Sequence, residues 1–292
     1  MLDGKLLDRH ARILFPLPAV VFTLALLVFP VAYTVWVSLT NWNLTTGLPP
    51  RFVGLKSYAA VVQDPRFWSA FVRTLYFTGM AVAAETVLGV IWALVLNRNF
   101  AGKGIVKTLL LLPLVATPVA IGISWTLFYE PTIGLANWGL RAIGLQGLNW
   151  LTDRGVVLPA LALIDLWQWT PLIALITLAG LAGLSLEPYE SARVDGANGW
   201  QIFWHITLPM VAPAVLTGVL LRSIDALKTF DIIYSTTLGG PSFASETLNI
   251  YSYNLSFNYF RLGQAAASLI FLFALVLSFS AVVSRLRRRL GV

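Results

Sequence analysis

Charged and polar side chains interrupt the apolar stretches of this sequence at three places. The first is IDLWQWTP, in which Asp165 lies beside Gln168 and Trp169, and Pro171 loosens the predicted helix. Planar polar groups and aromatic faces together bind sugars, because the polar groups pair with hydroxyls while the ring packs against C–H groups. We therefore consider two roles for Asp165, Gln168 and Trp169, contact with a polyhydroxylated ligand or a structural role within packed helices.

The second place contains four charges in a short stretch. Arg222, Asp225 and Thr229 are spaced i, i+3 and i+7 and share one face of a predicted helix, whereas Lys228 and Asp231 lie on another face. This spacing predicts two intrahelical ion pairs, one between Arg222 and Asp225 and one between Lys228 and Asp231. Arg222 is also a candidate to bind an anionic substituent such as a phosphate or sulfonate, although pairing with Asp225 would reduce its free charge.

The third place is Glu85, in the middle of an apolar run, where we expect a hydrogen-bonded structural carboxylate. Several kinds of chemistry are excluded or disfavoured. The chain has no cysteine and only two distant histidines, so we expect neither thiol chemistry nor a metal site. No catalytic constellation is apparent, and AGKG at 101–104 is not a complete phosphate-binding loop. The sequence therefore predicts no catalytic residues and no nucleotide bound by this chain.

Composition places these charges in a membrane protein. The chain is 58% hydrophobic and only 11% charged, with a mean hydropathy of +0.77. A spanning helix needs about 20 mainly apolar residues, and six windows qualify. They are 13–39, 69–96, 106–128, 156–181, 210–233 and 263–283. The sequence thus predicts an all-α integral membrane protein with six transmembrane helices in a single domain, residues 1–292. The fifth window is the weakest because of its charges.

The arginines and lysines beside the spans indicate the orientation. They are more numerous on one side when both termini are placed in the cytoplasm, which predicts a multi-pass protein with cytoplasmic N- and C-termini. We interpret RLRRR at 285–289 as a contact to lipid headgroups, and we expect no nucleic-acid partner. The first apolar run is too long for a signal peptide and is predicted to be a retained helix.

A compact polar stretch, YESARVDGANGWQIFWHITLPMVAP at 189–213, separates the fourth and fifth windows. Pro188 suits the first turn of a short helix, which Gly196 and Gly199 end. A second helix is predicted from Trp200 to Leu208, before Pro209 and the fifth span. The stretch therefore predicts a cytoplasmic helical hairpin suited to docking into another protein.

This hairpin resembles the EAA loop of bacterial ABC-importer permeases. Ten residues carry the resemblance at the family's spacing: Glu190, Ala192, Asp195, Gly196, Ala197, Phe203, Ile206, Leu208, Pro209 and Pro213. Ser191 stands where the second alanine is usual. FVGLKSYAAVVQDPRFW at 52–68 and LKTFDIIYSTTLGGP at 227–241 resemble the sugar and polyol branch, which includes the maltose transporter.

The resemblance implies a type I importer permease fold and a division of roles along the chain. It implies a coupling loop over 187–209 that contacts an ATPase. The implied coupling residues are Glu190, Ser191, Ala192, Asp195, Gly196, Ala197, Ile206, Leu208 and Pro209. It also implies a substrate path, and we assign to that path Asp165, Gln168, Trp169, Arg222, Asp225 and Thr229.

The implied partners are a second, related permease forming a heterodimer, two cytoplasmic ATPase subunits that bind ATP and Mg²⁺, and a periplasmic or lipid-anchored substrate-binding protein. The implied location is the bacterial inner membrane. The predicted function is half of the translocation path for a sugar, oligosaccharide, polyol or sugar derivative. The alternatives are an ABC permease for a non-sugar solute and a secondary transporter, although no inverted repeat is visible.

Overall fold

The computed structural model describes residues 14–289, with the side chains at 286–289 excepted. His10 and the arginine side chains at 287–289, on which the proposed lipid contact partly depends, lie outside the described residues. The described part of the chain is almost entirely helical, with one isolated bridge between Thr40 and Phe52. This confirms the all-α fold class.

Twelve helices are named here in chain order. They are α1 (Leu17–Ser38), α2 (Lys56–Gln63), α3 (Pro65–Asn97), α4 (Lys103–Val115), α5 (Pro118–Phe128), α6 (Leu135–Ala142), α7 (Val157–Ala182), α8 (Glu187–Val194), α9 (Gly199–Ala226), α10 (Asp231–Thr237), α11 (Leu248–Tyr253) and α12 (Leu262–Arg289). Among the described residues, α1, α3, α7, α9 and α12 are each long and apolar enough to cross a membrane, and α4 with α5 gives a sixth span if the bent pair crosses once.

The third predicted span is a broken helix rather than a straight one. α4 and α5 meet at an angle of 103°, and Ala116 and Thr117 between them have extended backbones. Pro118 explains the position of the break, because a proline ring disfavours helical geometry at the residue before it. The same proline suits the first turn of α5, where its missing N–H costs no hydrogen bond.

The fifth predicted span, 210–233, is wrong at both ends. α9 begins at Gly199, so the second helix of the hairpin and the span are one continuous helix. α9 then ends at Ala226, and α10 starts only at Asp231. The chain between them is stabilised from outside, since the Asn249 amide donates a 2.7 Å hydrogen bond to the Lys228 carbonyl. A helix end needs such partners because its last carbonyl groups lack intrahelical donors.

The chain divides into two compact units. One consists of the described residues up to Pro65 together with Ser252–Phe271. In this unit the Ser57 hydroxyl donates to the Thr40 carbonyl at 2.7 Å, and the hydroxyl groups of Ser38 and Tyr58 lie 2.6 Å apart. Gly263 packs against the Thr40 backbone so closely that a Cβ would collide with it. These contacts fix the connection that follows α1.

The second unit contains Arg66–Tyr251 and the described residues from Leu272 onward. Its centre is α7, whose buried residues pack against α3 and α9. Gly89 of α3 lets Ile173 approach so closely that a Cβ on the glycine would lie 2.8 Å from the Ile173 side chain. Gly180 of α7 makes a similarly close approach to Ala214 of α9. Small residues at such contacts allow helices to pack closely in a bilayer, where the lipid supplies no hydrophobic drive between them.

The loop before α11 in the second unit is ordered by ionic and aromatic contacts. Arg66 forms a two-point ion pair with the buried Glu246, with nitrogen–oxygen distances of 2.6 and 2.5 Å. The guanidinium carbon also lies 3.7 Å from the centre of the Phe243 ring. A bidentate pair restricts both side chains. The pair therefore holds this loop against the start of α3.

Candidate functional site

Two helix breaks meet beside α7. A cavity of about 140 Å³ is lined by Pro118 at the start of α5, by Asp165 and Trp169 of α7, by Asp225 at the end of α9, and by 228–232. The backbone at both breaks is irregular, a feature tolerated at membrane depth only where protein or a water-filled cavity surrounds it. Broken helices with convergent polar side chains are a common construction for a solute site within a membrane.

Arg222 connects three helices through carboxylates. Its Nε lies 2.8 Å from Glu85 Oε2 of α3, its Nη2 contacts Asp165 Oδ2 of α7, and its Nη1 lies 3.2 Å from Asp225 Oδ2 of α9 itself. The side chains of Arg222, Glu85 and Asp165 are at most 1% exposed, whereas the Asp225 side chain is 52% exposed. Charges buried at this depth are stable only when paired, so the three contacts make the arginine the link between α3, α7 and α9.

Trp169 extends this cluster toward the cavity. The Arg222 guanidinium lies 5.0 Å from the centre of the Trp169 ring, within the range of a cation–π interaction. Trp169 and Asp165 are separated by one turn of α7, so both side chains reach the same cavity. An aromatic face and a half-exposed carboxylate at one cavity form the combination that the sequence suggested for a polyhydroxylated ligand.

The structure brings five of the six predicted path residues together, and Gln168 is the exception. Asp165, Trp169, Asp225 and Thr229 line the cavity, and Arg222 forms ion pairs with the two aspartates. Gln168 is buried and its amide lies 3.4 Å from the Ala116 carbonyl, at the break between α4 and α5. This long hydrogen bond satisfies a carbonyl that the break leaves without a helical donor.

The predicted ion pairs have different outcomes. The pair between Arg222 and Asp225 is present. Among the ion pairs of the described residues, none joins Lys228 to Asp231, and this prediction is wrong because the two residues do not share a helix. Thr229 likewise lies beyond the end of α9, so its place beside Asp225 arises from the break and not from a helical i+4 spacing.

Glu85 has a larger role than the sequence indicated. It is completely buried in α3 and pairs with Arg222, whose position lies 137 residues further along the chain, from 85 to 222. No periodicity relates these two residues, and only the packing of α3 against the other helices brings them together. The sequence signal for both residues is a charge within a predicted span, because a single buried charge in an apolar helix implies a partner elsewhere.

The polar hairpin is formed by α8, a tight turn and the start of α9. Gly196 adopts a left-handed conformation at φ +80°, and the N–H groups of Gly196 and Ala197 donate to the Arg193 and Ala192 carbonyls at 3.1 and 2.9 Å. This is the Schellman pattern that ends a helix. Asn198 then caps α9 by reciprocal bonds with Gln201, at 3.0 and 2.8 Å. The turn is therefore fixed by hydrogen bonds on both sides.

The predicted coupling residues form the surface of this hairpin. Glu190, Ser191, Asp195, Gly196 and Pro209 are exposed, whereas Ala192, Ala197, Ile206 and Leu208 are half-buried. Val194 and Trp200 beside them are 88% and 71% exposed, although they are large and apolar. An exposed apolar patch within a polar hairpin is typical of a protein-docking surface. Neither residue is among the coupling residues that the resemblance implies.

A groove beside the hairpin adds residues from α3. It has a volume of about 790 Å³, and its charged lining residues are Arg98, Glu190 and Arg193. Arg98 lies just after α3, nearly a hundred residues before the hairpin, so no local pattern in the sequence associates it with this surface.

α9 connects the hairpin to the charge cluster without a break, although it contains two prolines. Its 28 residues correspond to about 40 Å of helix. The turn at Phe203–Thr207 is wider than an α-helical turn, and the Leu208 N–H donates to the Phe203 carbonyl five residues back. This wide turn precedes Pro209, which has no N–H to donate, so the helix continues past the proline. The predicted boundary at Pro209, between the second hairpin helix and the fifth span, is therefore wrong.

The sequence and the fold both match known proteins. Residues 85–292 match the profile of the family described as binding-protein-dependent transport system inner membrane component. The chain is 37% identical to the trehalose/maltose transport system permease protein MalF of Thermococcus litoralis, over 98% of each chain. It is 32% identical to the sulfoquinovosyl glycerol transport system permease protein SmoG of Agrobacterium fabrum, over 96% of this chain and 91% of the relative.

The fold also matches a chain of a bacterial alginate ABC transporter, solved in complex with an alginate pentasaccharide-bound periplasmic protein. The TM-score is 0.83 at 22% identity, and the match covers 99% of this chain and 97% of the other. A likeness at this identity concerns the fold, and it agrees with the predicted importer permease fold. From the extent of the family match, the chain belongs to the binding-protein-dependent transport system inner membrane components and is an integral membrane permease.

Proposed function

We propose that this permease forms half of the translocation path of an ATP-driven carbohydrate importer. The observation that carries the proposal is the continuity of α9, which has a docking hairpin at one end and the Arg222 and Asp225 cluster at the other. A displacement of the hairpin is transmitted along a rigid helix to the cavity. The same helix thus joins a surface for a partner to a site for a solute.

Carbohydrate is the solute class that the cavity chemistry favours. Trp169 supplies an aromatic face, Asp225 a half-exposed carboxylate and Thr229 a hydroxyl, all at one cavity. Carboxylates accept hydrogen bonds from sugar hydroxyls, and an indole face packs against the C–H side of a sugar ring. The trehalose/maltose permease among the relatives supports the same solute class.

The energy source is assigned to partner chains. Two cytoplasmic ATPase subunits would bind ATP and Mg²⁺ and receive the hairpin through Glu190, Asp195 and the exposed apolar side chains of Val194 and Trp200. A second, related permease would complete the path as a heterodimer, and a periplasmic or lipid-anchored binding protein would deliver the solute. The location is the bacterial inner membrane, with both termini and the hairpin in the cytoplasm.

Uptake by the complete transporter tests the proposal. The permease, its partner permease, the ATPase and the binding protein are reconstituted in liposomes, and ATP-dependent accumulation of labelled maltose and trehalose is measured. Trp169→Ala and Asp225→Ala should each lower uptake at least tenfold without reducing assembly, because both side chains face the cavity. Normal uptake in both variants would contradict the assignment of the cavity, and ATP-independent uptake would contradict the ATP-driven class.

A further inference from the structure

Arg222, which lies beside the cavity, is already committed to protein carboxylates. Its Nε lies 2.8 Å from Glu85, its Nη2 contacts Asp165, and its Nη1 lies 3.2 Å from Asp225. The Arg222 side chain is fully buried, and the Trp169 ring covers it at 5.0 Å. A solute entering the cavity therefore meets the 52% exposed carboxylate of Asp225 instead of the guanidinium.

The charges around the cavity are negative in sum. Arg222 is surrounded by Glu85, Asp165 and Asp225, which gives one cation for three carboxylates. The cavity lining adds Lys228 and Asp231, both exposed, whose charges cancel. Asp225 is the third exposed charge at the cavity, so the exposed groups are two carboxylates against one cation, a formal charge of −1. Low dielectric around such a group strengthens its effect on a charged solute.

Lys228 does not provide a separate site for an anion. It lines the same cavity of about 140 Å³ as Asp225 and Asp231, which flank it in the chain. The width of a cavity of this volume is smaller than the screening length of about 8 Å at physiological salt, so salt does not screen its charged groups from one another. An anionic group that reaches the Lys228 ammonium is therefore also repelled by the two neighbouring carboxylates.

We propose, on the basis of the function proposed above, that this cavity selects hydroxyl-rich solutes without negative charge and rejects sugars bearing carboxylate, sulfonate or phosphate groups. Ionised carboxylates are hydrogen-bond acceptors only, so they pair with the hydroxyl donors of a neutral sugar. An anionic substituent offers no donor to them. The arginine that suggested an anion site in the sequence acts within the structure as the counter-ion of the protein's own carboxylates.

A matched panel of solutes tests this selection in the complete transporter. The neutral probes are maltose and trehalose, and the anionic probes are maltobionate, glucuronate and maltose 1-phosphate. The affinity of the binding protein for each is measured by calorimetry, and uptake into liposomes is then measured at saturating binding protein. We expect uptake of the neutral sugars that are bound, and at least tenfold lower uptake of any anion that is bound equally well. Uptake of an anion as fast as that of an equally bound neutral sugar would overturn the proposal.

Two charge-removing variants identify the group that meets the solute. Asp225→Asn should reduce neutral-sugar uptake several-fold, because a charge-assisted hydrogen bond is replaced by a weaker neutral one. Asp153→Asn removes the same charge from an exposed loop residue, whose carboxylate accepts only a local bond from the Gly155 N–H, and serves as the control. Loss of uptake in Lys228→Gln with no effect in Asp225→Asn would show a solute anchored on the cation and would overturn the proposal.

The outcomes also separate this inference from the proposed function. Import of anionic sugars in preference to neutral ones would leave a carbohydrate importer in place and reject only the selection by charge. Absence of binding and of ATP-dependent uptake for every carbohydrate in both groups would reject the proposed function itself.

Discussion

At the scale of single residues, Arg222 is the cation with which three carboxylates pair. Glu85 and Asp165 are buried beside it, and removal of the cation would leave both without a counter-ion. Breaking a buried ion pair by deleting one partner costs about 3–5 kcal/mol, since an uncompensated charge remains. The two buried partners of Arg222 are not equivalent to it, because each shares the cation with other carboxylates.

This asymmetry gives the first prediction. Arg222→Gln should destabilise the protein by about 3–5 kcal/mol, whereas Glu85→Gln should cost about 1 kcal/mol or less, because Arg222 then keeps Asp165 and Asp225. Thermal unfolding of the purified complex in detergent compares the two. Equal destabilisation by both variants would show that the pairing with Glu85 matters as much as the arginine itself.

Gly196 carries the second prediction, which concerns backbone geometry alone. Its φ is +80°, and a Cβ built at this position meets no atom within 4 Å. Replacement is therefore penalised by the left-handed backbone and not by collision, so asparagine should be tolerated and a β-branched residue should not. Gly196→Val should abolish transport and release the ATPase, while Gly196→Asn should retain at least half of the activity.

Two measurements test this effect. The first is co-purification of the ATPase with each variant, and the second is ATP hydrolysis stimulated by loaded binding protein. Glu190→Lys, which reverses an exposed charge on the same hairpin, should also lose stimulation. The affinity of the binding protein for sugar should be unchanged in each variant, because that event takes place in another chain. Wild-type stimulation in Gly196→Val and Glu190→Lys would contradict the coupling role of the hairpin.

At the scale of helices, the contact of α7 with α3 depends on glycine. A Cβ at Gly89 would lie 2.8 Å from Ile173 and 3.1 Å from the Ala174 backbone nitrogen, so the helices would have to separate. α3 also supplies Glu85, one turn away, and a separation would therefore draw this carboxylate from Arg222. Helix packing and the charge cluster are thus coupled through one short segment of α3.

The third prediction compares two glycines of α3. Gly89→Val should cost about 1–3 kcal/mol through overpacking and reduce transport as the cluster loosens. Gly79→Val serves as the matched control, because Gly79 is exposed on the same helix and a Cβ there meets nothing within 4 Å. Thermal stability and uptake are measured for both. Similar values for the two variants would show that the close approach at Gly89 is not required.

At the scale of the whole molecule, the proposed orientation is testable because the chain contains no cysteine. Single cysteines can therefore be introduced without a background signal. Leu48, in the connection after α1, is 60% exposed, and Val194, in the hairpin, is 88% exposed. The proposal places these two positions on opposite sides of the membrane.

The fourth prediction is that a membrane-impermeant maleimide labels Leu48→Cys in intact spheroplasts, whereas Val194→Cys is labelled only after the membrane is opened. Labelling of both positions in open membranes controls for reactivity. The reverse pattern would overturn the predicted cytoplasmic location of the hairpin and of both termini.

The helical membrane class, the positions of most spans and the hairpin could all be predicted from the sequence. These features depend on local properties, namely long apolar runs, glycine and proline positions, and a motif contained within 25 residues at 189–213. The mid-span charges were also visible at once, because each one is costly in a bilayer. Local composition was sufficient for each of these conclusions.

The pairing of the charges and the positions of the helix breaks depend on the packing of the folded chain. Glu85, Asp165 and Arg222 come from three different helices, and no spacing along the chain relates them. In the break after Ala226 the Asn249 side chain donates to the Lys228 carbonyl, and α9 continues past Pro209 through a widened turn. Contacts between distant segments supply the free energy for these features, so the sequence indicated that the charges needed partners but not which partners they have.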